Sequence, residues 1–271
     1  MRYTSPSCSP ERFAYLQARR REAVSVHVLR LLVLIAFLFL WEMGARWGWV
    51  DPFILSCPSR VLVSLANLYA DGTLFLHIGT TLFETVAGFL LGTALGVALA
   101  VLLWWMPLLD KVMDPYLVVL NALPKIALGP VLIVWIGAGM ESIIVMAVLI
   151  SLVVTTVTVL GGFAAATGEK QLLMDTLGAS RFQVFEKVVL PASVPDIISA
   201  LKISVGMSWV GVIVGEYLVS QAGLGYLIVY GGQVFRLDLV MASVVVLCLL
   251  AALMYAAVAL LEKRIRRRFS A

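Results

Sequence analysis

Charge is scarce in this sequence: only 13% of its 271 residues are Asp, Glu, Lys or Arg, against about 25% in an ordinary soluble domain. Since 62% of the residues are apolar, too few polar groups remain to cover a water-facing surface, and a soluble globule is excluded. Disordered, collagen-like and disulfide-scaffold classes fall with it. Cysteine is scarce as well. Cys8, Cys57 and Cys248 form no CxxC and leave one residue unpaired, so they support neither a disulfide framework nor a zinc site and read as small apolar packing residues. His27 and His77 are too few for a histidine-built metal centre. No Gly-Lys dipeptide occurs, which rules out a Walker A phosphate cradle, and there is no G-x-S-x-G, H-E-x-x-H or recognisable carboxylate pair. The expectation is a chain that performs no catalysis and holds no metal or cofactor of its own.

What the sequence has instead is long apolar runs. Residues 85–109, 142–168 and 239–261 are free of acids and bases, and each is long enough to cross about 30 Å of hydrocarbon. Three further runs carry charges: 27–47 with Arg30 and Glu42 near its ends, 115–136 with Lys125, and 197–219 with Lys202 and Glu216. An all-α, polytopic membrane protein with six transmembrane helices is expected, spanning about 27–47, 79–109, 115–136, 142–165, 197–219 and 239–261. The net charge of +4 is concentrated at the ends, with Arg19, Arg20 and Arg21 before the first run and Lys263, Arg264, Arg266, Arg267 and Arg268 after the last. Positive-inside anchoring then places both termini in the cytoplasm, as six crossings require. A solvated basic tail is the plainer reading of each cluster, and neither reading favours nucleic acid over membrane lipid as the partner. No small-x-small cleavage motif follows the first run, so it reads as an uncleaved span.

The flanks are a cytoplasmic tail at 1–25, poorly ordered over residues 1–22, and a basic cytoplasmic tail at 263–271. By alternation, 49–77 and 220–238 face outward, while 169–202 faces inward with Lys170, Arg181, Lys187 and Lys202. Val61, Leu62, Leu65, Leu68 and Tyr69 recur at helical spacing between Pro58 and Asp71-Gly72, which predicts a short interfacial helix. No internal repeat is present.

The inward segment 169–191 reads helix, turn, helix. Gly178 sits where a first helix needs a left-handed closing residue, and Ser180 with Gln183 forms an S-x-x-Q capping box that opens a second helix at Arg181. Phe182, Phe185, Val188 and Val189 fall on one face of it. Pro191 is expected to end this helix and Pro195 to begin the next. Periodicity alone leaves two readings open, a loop hugging the membrane surface and a docking elbow.

Gly178, eleven residues and then Leu190-Pro191 is similar to the core of the EAA signature of ABC-importer permeases, and the surrounding residues resemble the nitrate/sulfonate/taurine branch. Gly88-Phe-Leu-Leu-Gly92, Pro124-Lys-Ile-Ala-Leu-Gly-Pro130, Gly215-Glu216 and Gly223-Leu-Gly-Tyr226 extend the likeness over roughly 55–260. The resemblance implies a type I (MetI-like) permease fold in the bacterial inner membrane. It further implies a cytoplasmic ABC ATPase, holding ATP and Mg, docked on Asp175, Gly178, Ala179, Ser180, Arg181, Phe182, Phe185, Leu190 and Pro191. A periplasmic or extracellular solute-binding protein, a second permease copy forming a homodimer, and a small anionic solute of the nitrate, sulfonate or taurine kind complete the expectation. One departure stands out: the signature's acid and two alanines fall on Leu172, Leu173 and Met174, leaving Asp175 or Glu169 to substitute.

Ionisable groups within spans cost about 2.5–3.5 kcal/mol each on insertion scales and default to path-lining or paired roles. Asn121, Pro124, Lys125 and Glu216 are the candidates for a solute path or gate. Lys125 lies between two prolines in a broken helix, where a cation suits an anionic solute or simply caps the kink. Lys202 and Glu216 lie about 21 Å apart along one helix and cannot pair, so Lys202 is expected to snorkel to headgroups. Gly88, Gly92 and Gly96 repeat on one helical face and predict close helix packing. Two other functional classes stay open on the residues alone: a self-sufficient secondary transporter or channel, and an integral-membrane enzyme.

Overall fold

The computed structural model describes residues 10–49 and 51–269, and the described residues form helices and no strand. The chain divides into two units, 1–63 and 64–271. The first holds α1 (Pro10–Arg46), α2 (Pro52–Leu55) and the start of α3 (Pro58–Ala70). Here the expected tail at 1–25 gives way to helix from Pro10 onward, because residues 11–23 are almost all good helix formers and proline fits a first helical position. Residues 1–9 of that tail, and 270–271 of the basic tail, lie outside the described residues. Glu42 is tied down within this unit. Ser59 donates to it from its backbone N–H at 3.1 Å and its hydroxyl at 3.0 Å, and Arg46 donates at 2.8 Å.

The second unit is built from α4 (Leu74–Trp105), α5 (Pro107–Ala122), α6 (Gly129–Ile136), α7 (Met140–Ala166), α8 (Gly168–Thr176), α9 (Arg181–Val184), α10 (Leu190–Val219), α11 (Leu224–Gln233) and α12 (Leu237–Phe269). Its centre is the fully buried Ala147 of α7, gripped between glycines of two other helices. A Cβ on Gly88 of α4 would stand 2.6 Å from the Ala147 Cβ, and one on Gly211 of α10 would stand 2.5 Å from its Cα. Gly92 and Gly96 continue the α4 contact along Ser151 and Thr155 of α7. Small residues let three backbones approach this closely, which gains dispersion contacts that lipid tails cannot match. Hydroxyls bridge the same helices: Thr155 and Ser204 at 2.5 Å, Thr156 to the Gly96 carbonyl at 3.2 Å, and Ser193 to the Gly162 carbonyl at 3.1 Å.

Among the described residues, five helices are long and apolar enough to cross a membrane: Tyr15–Arg46, Leu74–Trp105, Met140–Ala166, Arg181–Val219 and Leu237–Ile265. A sixth crossing, expected as one span over 115–136, is instead two helices bent by 87°. Pro124 is the cause. It forces Leu123 to ψ 133°, out of the helical region, and α5 ends there. A 3-10 turn at Lys125–Leu128 leads into α6.

Pro191 does not end a helix. The chain runs helically from Arg181 to Val219 because a π-turn at Phe185–Val189 widens the helix just ahead of the proline, with the Leu190 N–H reaching back five residues to the Phe185 carbonyl. The wider turn accommodates a residue that has no N–H to donate and whose ring would clash in a regular turn. Pro195 lies inside α10 rather than at its start. Lys202 does not snorkel to headgroups: its Nζ meets Glu262 of α12 at 2.5 Å, with both side chains largely buried. Pairing within the protein replaces lipid as the charge's partner.

Gly88→Val should therefore overpack the Ala147 contact by about 1–3 kcal/mol and lower the thermal midpoint of the purified protein, measured by intrinsic fluorescence. Gly206→Ala on α10, where an added Cβ meets nothing within 4 Å, should leave the midpoint unchanged or raise it.

Candidate functional site

The elbow begins where α8 runs out. The Gly178 N–H bonds the Asp175 carbonyl and the Ala179 N–H bonds the Met174 carbonyl, each at 3.0 Å, with Gly178 at φ +73°: a Schellman closure that uses the conformation open to glycine. Ser180 then caps α9. The Gln183 N–H donates to the Ser180 hydroxyl oxygen at 3.4 Å, and the Ser180 N–H donates to the Gln183 carboxamide oxygen at 2.8 Å.

The far side of the elbow is anchored to the chain itself. The Phe185 ring lies 4.9 Å from Trp104, 5.8 Å from Trp105 and 5.7 Å from Phe163, tilted or edge-on to each. Arg181 donates to the Trp104 carbonyl at 3.1 Å and holds its guanidinium 5.4 Å from that indole. It thus caps the last turn of α4, where orphan carbonyls concentrate negative charge, and adds a cation–π contact. Val184, just before the π-turn, and Val189, its last residue, are buried with Ala100, Val159, Phe163 and Ala200.

This placement corrects the expected face. Phe182 is 59% exposed, whereas Val184 faces the core, because the five-residue turn shifts the inward register by one position. Phe185 and Arg181 grip α4. Leu172, Leu173, Leu177 and Phe182 are exposed on the elbow, together with Asp175, Gly178, Gln183, Glu186, Lys187 and Pro191.

Of the four path candidates, Asn121, Pro124 and Lys125 lie together at the end of α5 and Glu216 does not join them. Lys125 donates from Nζ to the Asn121 carbonyl at 3.2 Å and so caps the last turn of α5. Asn121 lines a cavity of about 540 Å³ between α5 and α7, whose charged residues are Asp110 and Asp114. Glu216 lies elsewhere, 1% exposed. It accepts the Thr81 hydroxyl at 2.6 Å and the Gly225 N–H at 2.5 Å, an anion site at the N-terminus of α11 made within one chain. The Leu224 N–H donates to the Thr81 oxygen at 2.8 Å, and the Gly223 N–H donates to His77 Nδ1 at 3.0 Å. Glu84, also buried, contacts the same carboxyl. Sequence reasoning missed Thr81 and Trp104 and gave Glu84 no role. The Gly223-to-Tyr226 motif was the signal that α11 existed.

Trp104→Ala should remove the elbow's anchor. Each aromatic pair contributes about 0.5–1.5 kcal/mol beyond burial, so proteolysis within 169–191 should accelerate several-fold, while Trp104→Phe restores most protection. Glu216→Ala strands two buried donors at about 1–3 kcal/mol each and should lower the thermal midpoint far more than Glu216→Gln, which keeps an acceptor oxygen.

Comparison with known proteins places this geometry. Residues 92–267 match the family described as binding-protein-dependent transport system inner membrane component. A Haemophilus influenzae protein named "Probable ABC transporter permease protein" is 33% identical over 225 residues, covering 83% of this chain and 91% of its own length. The formylaminopyrimidine transport permease protein ThiX of Halalkalibacterium halodurans is 29% identical over 85% of this chain and 92% of its own. The taurine transport system permease protein TauC of Escherichia coli is 25% identical over 91% and 90%. Among solved structures, an inward-facing MetNI methionine ABC transporter shares the fold with a TM-score of 0.62 at 19% identity, covering 70% of this chain and 94% of that one. A multi-pass bundle with that match over most of its length belongs to the binding-protein-dependent transport system inner membrane components, the permease subunits of ABC importers.

Proposed function

We propose that this chain is the pore subunit of an ATP-driven importer and takes its work from a separate cytoplasmic ATPase through residues 169–191. The observation that carries this reading is the elbow itself: a capped helix-turn-helix that exposes Leu172, Leu173, Leu177 and Phe182, is anchored through Phe185 and Arg181 to α4 and is continuous with α10. Where the family signature has an acid, the outer surface is leucine, so docking rests on apolar burial more than on an ion pair. ATP and Mg belong to the partner. As the ATPase pair closes, the elbow moves as one piece with α4 and α10, and the bundle exchanges an inward for an outward opening. That exchange needs two packings close in free energy, biased by nucleotide on one side and a loaded binding protein on the other.

Both termini lie in the cytoplasm of a bacterial inner membrane in this reading, two copies enclose the path, and the cargo is a small organic solute of the class carried by the taurine relative. Lys125 and Asn121 stand at the break of the third span beside that path. The alternative of a self-sufficient transporter is tested by reconstituting the chain alone: ion-gradient-driven flux without an ATPase would favour it.

Gly178→Asp forces a side chain into φ +73°, a strain of about 1–2 kcal/mol, so ATPase co-purification and ATP-dependent uptake should fall about tenfold. Leu173→Asp on the exposed surface should do the same without altering the thermal midpoint. Retention of both association and uptake in the two variants would overturn the docking assignment.

A further inference from the structure

At the end of the bundle away from the elbow, Glu84 of α4 and Glu216 of α10 are each 1% exposed and lie against one another. What Glu84 meets is a second acid rather than a base, and a hydrogen bond joins the two side chains. Ionised carboxylates offer only acceptor oxygens, so that bond requires a proton on one of them. Repulsion between two like charges in contact and away from water excludes the doubly ionised pair as well.

The remaining contacts decide which acid carries the proton. Glu216 sits as an anion does. One oxygen accepts the Thr81 hydroxyl at 2.6 Å, the other accepts the Gly225 N–H at 2.5 Å in the first turn of α11, and the Tyr226 N–H also bonds this carboxylate. Glycine makes the seat possible, since a Cβ on Gly225 would stand 2.6 Å from the second oxygen. Glu84 sits as a neutral acid does: its Oε2 is buried with no hydrogen-bond partner, which costs a carboxylate oxygen far more than the carbonyl oxygen of a protonated acid.

We propose that Glu84 and Glu216 hold one proton between them, bound on Glu84 and donated to Glu216, and that this proton pins the start of α11 to α4 and α10. With it in place, Glu216 receives Thr81 and Gly225, the Leu224 N–H rests on the Thr81 oxygen and the Gly223 N–H on His77. When alkaline solvent takes the proton, two anions face each other, Glu216 leaves its seat and the start of α11 is released. The clasp does not depend on what drives the bundle.

The folded chain binds one proton more at this pair than the unfolded chain, whose glutamates ionise at about pH 4.3, so the clasp weakens as pH rises. Other titratable groups on the elements packed here are His77 on α4, Tyr217 on α10, Tyr226 on α11, Glu141 in the first turn of α7 and Asp238 in the first turn of α12, while α6 has none. Asp71 and Arg236 lie beyond His77, across the cavity between α3, α4, α11 and α12. All are shared by the unmodified chain and Glu84→Gln, so the difference between the two proteins isolates the pair.

Infrared spectra of the full chain in nanodiscs, recorded in light and heavy water at neutral pH, should show a protonated-carboxyl C=O band that shifts on deuteration and is missing from Glu84→Gln. In mixed micelles, the unfolding equilibrium constant of the unmodified chain should rise with pH relative to that of Glu84→Gln by up to about tenfold per unit, because the amide keeps the donated hydrogen bond and has no proton to lose. Amide exchange at Gly223–Tyr226, corrected for its intrinsic pH dependence, should accelerate over the same range in the unmodified chain and not in Glu84→Gln. Loss of carboxylate bands in place of the protonated one in Glu84→Gln, or parallel pH profiles for the two proteins, would overturn the proposal. Should Glu84→Gln fail to fold, the unmodified chain still decides: absence of any protonated-carboxyl band at neutral pH refutes the assignment.

Discussion

The contact on which this bundle depends is the meeting of three backbones at Ala147. Lipid offers no hydrophobic reward for bringing helices together, so close approach and interhelical hydroxyl bonds must supply it. Gly88 and Gly211 leave room for that approach, and the hydroxyls of Thr155, Thr156, Ser193 and Ser204 hold the same helices along their length. Everything at either end is then fastened to members of that trio. The elbow grips α4 through Trp104 and continues into α10, while Glu216, Thr81 and His77 hold the start of α11 against the opposite ends of α10 and α4.

α4 therefore joins the two ends mechanically. One terminus carries the aromatic seat for Phe185 and the carbonyl capped by Arg181, and the other carries the side chains that receive the N–H groups of Gly223 and Leu224. α4 runs as one continuous helix between those two attachments. The backbone between α5 and α6 is broken at Pro124, where a 3-10 turn replaces helix.

Much of this architecture was legible from residues alone, for reasons that are local. Charge-free runs mark spans because charge in hydrocarbon is expensive, and Gly178, Ser180 and Gln183 mark a turn because their signals act within four residues. What was not legible depends on distant partners or on competition between two local rules. Lys202 finds Glu262 across sixty positions of sequence, and no periodicity announces that. Pro191 carries a strong stop signal, yet the packing of Val184 and Val189 into one cluster is served by widening the helix rather than ending it. Phe185 looked like a surface group because its seat, Trp104 and Trp105, closes a helix far earlier in the chain. Glu216 was readable as costly, but its shared setting with Thr81 and Glu84 needed the fold.

The wide turn at Phe185–Val189 also links the number of residues between Gly178 and Leu190-Pro191 to the direction in which the elbow faces. Each residue advances a helix by about 100° around its axis, so removing one from that interval would swing the elbow's leucines sideways relative to the bundle. The count of residues there acts as an azimuth setting, aiming the elbow's outer surface in one compass direction while α10 keeps its own.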